Sequence, residues 1–198
     1  MLRRLAFSLP FVLAASAALA HPHHAHLDDY GSFMSGLLHP IFGLDHVLAM
    51  VAVGLWASLI GGRALSVVPA AFVGVMAVGF LLALGGVDLP FVEPLVLASV
   101  VVLGLVVALA VPVPVVVGAA VVGFFALFHG HAHGQEMGAA GMVAYGTGFA
   151  ISTATLHAAG LAAGLGLGRV LERGQGRLVT RAAGALTVVG GILLAMPA

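Results

Sequence analysis

The sequence predicts an all-α, polytopic membrane protein, a transmembrane bundle of about six helices that follows a cleaved signal peptide. Of its 198 residues, 62% are hydrophobic and only 7% are charged. Soluble domains contain about 25% charged residues, so a soluble fold could not cover its surface with so few. The absence of cysteine excludes disulfides, thiolate metal sites and cysteine nucleophiles.

The first 20 residues have the organisation of a secretory signal peptide. Arg3 and Arg4 precede an apolar stretch over residues 5–13, and residues 18–20 form a cleavage site of small side chains. The predicted organisation is a signal peptide over 1–20, a histidine-rich periplasmic tail over 21–36 and a six-helix transmembrane domain over 37–198. An uncleaved first helix is the alternative.

Apolar stretches follow that are long enough to cross a hydrocarbon core, which needs about 20 helical residues. Pro112 and Pro114 break a longer uncharged stretch in its middle, because proline cannot continue a helix, and this predicts two short helices with a tight turn over 111–115. The predicted spans are 37–60, 64–87, two short helices within 95–128, and then 138–168 and 182–198.

The arginines predict the orientation of these helices. With the mature N-terminus outside, six crossings place every arginine of the mature chain on the cytoplasmic side, as the positive-inside rule expects. We therefore expect a multi-pass protein of the inner membrane with a periplasmic N-terminus. The formal net charge of zero gives no indication of a nucleic-acid partner. The arginines concerned are Arg63, Arg169, Arg173, Arg177 and Arg181.

The first chemical motif combines two histidines and an aspartate in an apolar stretch. If Pro40 occupies the first turn of a helix, His39, Gly43 and His46 share one face. The two imidazoles then lie about 10 Å apart along the axis, which predicts successive metal sites or sites completed by other helices. Asp45 flanks this face and could ligate a cation or orient an imidazole. The alternative is a set of polar residues that satisfy helix ends and each other.

A second histidine-rich segment lies where the predicted fourth helix reaches the outer face. If it is helical, His129, His133 and Glu136 share a face while His131 points elsewhere. If its glycines unwind it, the segment is a flexible metal-gathering loop.

In the fifth helix, His157 lies on a face of small residues and points into the bundle, either as a ligand or as a structural hydrogen-bonding group.

The tail over residues 21–36 adds four further histidines, His21, His23, His24 and His26. It is either a weak external metal collector or an inert, solvated segment. Across the whole chain, the available ligands are imidazole and carboxylate. This set suits nickel, cobalt, zinc or oxidised copper, and ligation needs neutral imidazole, so metal binding should weaken as the medium is acidified.

These segments together resemble the HupE/UreJ family. The resemblance rests on the histidine that follows the signal peptide and on motifs that cover the mature chain: His39-Pro40-x-x-Gly43-x-Asp45-His46, the run over 50–57, His129-Gly130-His131-Ala132-His133-Gly134-x-Glu136, Tyr145-x-x-Gly148-Phe149 and Leu156-His157. It implies a metal-binding role for His39, Asp45, His46, His129, His131, His133, Glu136 and His157.

The resemblance also implies a function. Members of this family accompany hydrogenase and urease systems and are regarded as permeases for nickel, sometimes cobalt. We therefore expect an inner-membrane metal permease that is not an enzyme and has no prosthetic group. Its expected partners are the divalent ion and the lipid bilayer, with a homo-oligomer left open. The alternatives are an intramembrane zinc-dependent hydrolase and a metal-binding accessory protein that transports nothing.

Overall fold

A computed structural model describes residues 32–136, 141–171 and 173–196, and all regular structure within these ranges is α-helical. The predicted signal peptide and residues 21–31 of the histidine-rich tail lie outside the described residues. The helices are α1 Ser32–Phe42, α2 Leu44–Ile60, α3 Ala64–Leu84, α4 Val92–Ala108, α5 Val115–Glu136, α6 Met142–Val170 and α7 Arg173–Leu194.

These helices are long and apolar enough for a membrane protein. Among the described segments, α3, α5, α6 and α7 could each cross a bilayer, and α1 with α2 could form a fifth, bent span. Helix α4 is apolar but shorter, with 17 residues. The chain is a multi-pass membrane protein, and the predicted all-α fold class is confirmed.

The first predicted span is two helices rather than one. Helices α1 and α2 meet at Gly43 with a bend of 78°. Gly43 has extended backbone angles, φ −85° and ψ 110°, so the helical path stops there and starts again in a new direction. Pro40 lies inside α1 and not in the first turn of a longer helix, so that part of the prediction is wrong.

The predicted break after the third span is confirmed. Helix α4 ends at Ala108 and α5 begins at Val115, with Pro112 and Pro114 between them. The predicted start of the last helix at residue 182 is wrong, because α7 already begins at Arg173. The added turns carry exposed arginines, whose long side chains can reach the aqueous interface from a helix.

Glycines allow the closest helix contacts in the bundle. Helices α3 and α5 run in parallel, and Gly79 of α3 and Gly130 of α5 each lie against the backbone of the other helix. Helices α2 and α6 meet in the same way through Gly54 and Gly160. A side chain at any of these positions would collide with backbone, which is the usual role of small residues in membrane bundles.

The two ends of the bundle differ in chemistry. At one end, Arg63 follows α2, and the Arg181 side chain on α7 donates a hydrogen bond of 2.7 Å to the carbonyl of Ala108 at the end of α4. At the other end, His46 lies in the first turns of α2 and His133 in the last turn of α5. His46 and His133 therefore lie at the opposite end of the bundle from Arg63 and Arg181.

Candidate metal centre

Three buried histidines from two helices converge near one end of the bundle. His46, His129 and His133 each offer a ring nitrogen, and these atoms lie within 4.8 Å of one another. His129 and His133 are completely buried and His46 is 7% exposed. His46 comes from α2, while the other two lie four residues apart on one face of α5. We call these residues the three-histidine group.

Asp45 orients the first member of this group. Its Oδ1 lies 2.7 Å from Nδ1 of His46. A carboxylate can only accept a hydrogen bond, so Nδ1 donates and the lone pair of the imidazole is on Nε2. Metal-binding histidines in proteins are commonly held in this way by a carboxylate.

Gly43 makes room for this pair at the bend between α1 and α2. A Cβ atom at Gly43 would lie 2.7 Å from Nδ1 of His46 and 3.0 Å from Oδ1 of Asp45. The same glycine therefore permits the change in chain direction and leaves space for the hydrogen-bonded pair beside it.

His133 faces the lone pair of His46. The two Nε2 atoms are 2.7 Å apart, so His133 donates its Nε2 hydrogen to His46. Two imidazole nitrogens on a tetrahedral ion, with bonds of about 2.0–2.1 Å, lie about 3.3 Å apart. The rings would need to separate by about 0.6 Å for an ion to replace this hydrogen bond.

His129 completes the group from one turn earlier in α5. Its ring centroid lies 5.2 Å from that of His46. Nε2 of His129 lies 2.9 Å from Oγ of Ser99 on α4, and its Nδ1 is buried without a hydrogen-bond partner among the described residues. A buried nitrogen with no partner is costly, and a cation would relieve that cost.

His39 lies beside the group on α1 and is half-buried, more exposed than any of the three. Its ring centroid is 4.6 Å from that of His133 and 5.9 Å from that of His46. The expected separation of about 10 Å along one helix is wrong, because the bend at Gly43 folds α1 back and brings both rings to His133. Tyr145 of α6 also packs against His39, with ring centroids 6.3 Å apart.

His157 does not belong to the group but lies close to it. Its ring is 1% exposed, and neither ring nitrogen has a hydrogen-bond partner among the described residues. Phe72 of α3 contacts both His157 and His129, with ring centroids 5.0 Å and 5.6 Å away. The Phe72 ring therefore contacts both His157 and, through His129, the three-histidine group.

His131 lies on another side of α5. It is fully buried, and its Nε2 lies 2.7 Å from the carbonyl of Val87 in the turn after α3. A carbonyl only accepts, so His131 donates and ties this turn to α5. The structure does not bring His131 into the three-histidine group. Glu136 is the last residue of α5, and its side chain lies outside the described part of the chain.

The histidine-rich segment is helical, and its glycines do not unwind it. Gly130 and Gly134 lie against the backbone of α3 at Met76 and Phe80. This stretch therefore contains two glycines four residues apart, each preceded by a histidine. The glycines pack α5 against α3, and His129 and His133 face His46 of α2.

Two residues at the centre were not predicted from the sequence. Ser99 is the only polar side chain in residues 95–108, and such isolation in an apolar helix is a signal that could have identified it. Phe72 lies among many other apolar residues of α3, and no pattern distinguishes it.

Comparison with known proteins gives two matches. The model of the family described as HupE / UreJ protein matches residues 9–194. The chain is 45% identical over 182 residues to "Protein HupE" of Rhizobium leguminosarum bv. viciae, which covers 90% of this chain and 93% of the relative. No solved structure matches the chain.

Proposed function

The chain belongs to the HupE / UreJ protein family, and we propose that it is a permease that carries a divalent transition metal, nickel or cobalt, across the inner membrane. The ion would supply the maturation of a hydrogenase or a urease. As a member of a family of accessory, permease-like proteins, the chain is not an enzyme, as the sequence predicts.

The observation that carries this proposal is the convergence of three buried imidazoles inside a membrane bundle. Ionisable side chains are costly in a membrane and are usually retained for function. Neutral imidazole with a carboxylate behind it suits nickel, cobalt and zinc. In this proposal His46, His129 and His133 bind the ion, and Asp45 orients His46.

The positions of the other histidines support a path. His39 is half-buried and contacts His133, so we assign it the capture of the ion at the mouth. His157 is fully buried and contacts Phe72, so we assign it the next position after the three-histidine group. Since Arg63 and Arg181 lie at the opposite end of the bundle, the positive-inside rule supports a periplasmic mouth.

The test is uptake of radiolabelled nickel into vesicles that contain the purified protein. His133→Gln should abolish uptake, because glutamine cannot replace an imidazole ligand. His131→Gln is the matched control on the same helix, because a glutamine there can still donate to the carbonyl of Val87, and it should transport like the wild type. A wild-type protein that binds nickel but gives no flux would favour the non-transporting accessory protein.

A further inference from the structure

Ser99 contacts the three-histidine group from α4. The side chain is fully buried. Its Oγ lies 2.6 Å from the carbonyl oxygen of Val96, one turn earlier, and 2.9 Å from Nε2 of His129. No other helix offers His129 a hydrogen-bonding side chain among the described residues.

The position of one hydrogen follows from these two distances. A serine hydroxyl has a single hydrogen and two lone pairs, and a carbonyl oxygen has no hydrogen to give. Two oxygen atoms 2.6 Å apart repel each other unless a hydrogen lies between them, so Ser99 donates to Val96. Ser99 can then only accept from His129, and the Nε2 atom of that imidazole must carry a hydrogen.

The other ring nitrogen of His129 therefore carries the lone pair. A neutral imidazole with a hydrogen on Nε2 has its lone pair on Nδ1. In His129 this Nδ1 is the buried atom without a partner. It is therefore the atom available for a cation.

We propose that Ser99 is a positioning residue, which fixes His129 as the Nε2–H tautomer and thereby selects Nδ1 as the atom that binds the metal. The inference rests on the proposed function of the three-histidine group. Ser99 then acts on His129 as Asp45 acts on His46. In each of these ligands one nitrogen donates a hydrogen bond to a residue outside the three-histidine group, which leaves the lone pair on the other nitrogen, and loss of such a partner commonly costs 10- to 100-fold in metal affinity.

The test reads the tautomer directly in the metal-free protein. Nitrogen NMR of histidine-labelled protein in lipid nanodiscs distinguishes the two tautomers, and His129→Ala assigns the signal. We expect His129 to be present only as the Nε2–H tautomer in the wild type and as a mixture of the two tautomers in Ser99→Ala. Ser99→Ala should also bind nickel about 10- to 100-fold more weakly.

Two further variants separate positioning from packing. Ser58→Ala removes the same kind of bond, from Oγ to the carbonyl of Leu55 at 2.6 Å, without a histidine nearby in sequence, and it should leave the tautomer of His129 and nickel affinity unchanged. Ser99→Thr retains the hydroxyl and should keep His129 in the Nε2–H form.

The outcomes distinguish this inference from the proposed function. An Nδ1–H form in the wild type, or an unchanged Nε2–H form in folded Ser99→Ala, would overturn the role of Ser99 even if nickel affinity falls. A tautomer that changes as expected in a protein that moves no metal would support the role of Ser99 and count against transport.

Discussion

Gly43 provides a sensitive test of the geometry around His46. Its angles, φ −85° and ψ 110°, are open to any residue, so alanine adds a methyl group without straining the backbone. That methyl carbon would lie 2.7 Å from Nδ1 of His46. An ordinary contact requires at least about 3.4 Å, so the imidazole must move by about 0.7 Å.

Such a displacement is large for a metal ligand, since ligand distances are held to within about 0.2 Å. The hydrogen bond from His46 to Asp45 is disturbed at the same time, because the methyl lies 3.0 Å from Oδ1 of Asp45. Loss of a hydrogen bond that orients a ligand typically costs 10- to 100-fold in metal affinity. We expect Gly43→Ala to weaken nickel binding by about this factor.

The assay is competition for nickel between the purified protein and a chromogenic chelator. Gly74→Ala is the matched control, because a Cβ atom there meets nothing within 4 Å, and it should bind like the wild type. Circular dichroism checks that both variants are folded. A folded Gly43→Ala that binds nickel with wild-type affinity would refute the placement of His46 and Asp45.

Three other outcomes follow from the same structure. His157→Gln should bind nickel normally at the three-histidine group but lose uptake into vesicles; normal uptake would remove His157 from the path. Gly130→Ala should lower the thermal stability of the protein, because its methyl would overlap the backbone of Met76, and an unchanged melting temperature would contradict the close contact of α3 with α5. Reporter fusions after Arg63 and after Arg177 should both give cytoplasmic signals, and a periplasmic signal at either would overturn the topology.

Local features of the fold could be predicted because they depend on neighbours in the chain. Pro112 and Pro114 indicate a break, since proline lacks the backbone hydrogen that a helix requires. The bend at Gly43 could not be predicted in the same way, because single glycines are common in membrane helices. Whether such a glycine continues or ends a helix depends on the contacts of α1 and α2 with the rest of the bundle.

Only part of the candidate site could be predicted, because the sequence gives spacing along one helix but not the contacts between distant helices. Helical spacing places His129 and His133 on one face, but it cannot show that His46, from a distant helix, lies opposite them. The bend at Gly43 also brings His39 beside His133, whereas an unbroken helix would keep these two rings apart. Ser99 belongs to a fourth segment, and only tertiary contact connects it to His129.

The central claim is that three imidazoles bind the ion, and a count of the imidazole ligands tests it most directly. X-ray absorption spectroscopy of the nickel-loaded protein should show three imidazole ligands, from His46, His129 and His133. Alanine at any one of these positions should lower that number to two or abolish binding, while His131→Gln should leave it at three. A nickel ion whose imidazole number is the same in the wild type and in all three alanine variants would contradict the account.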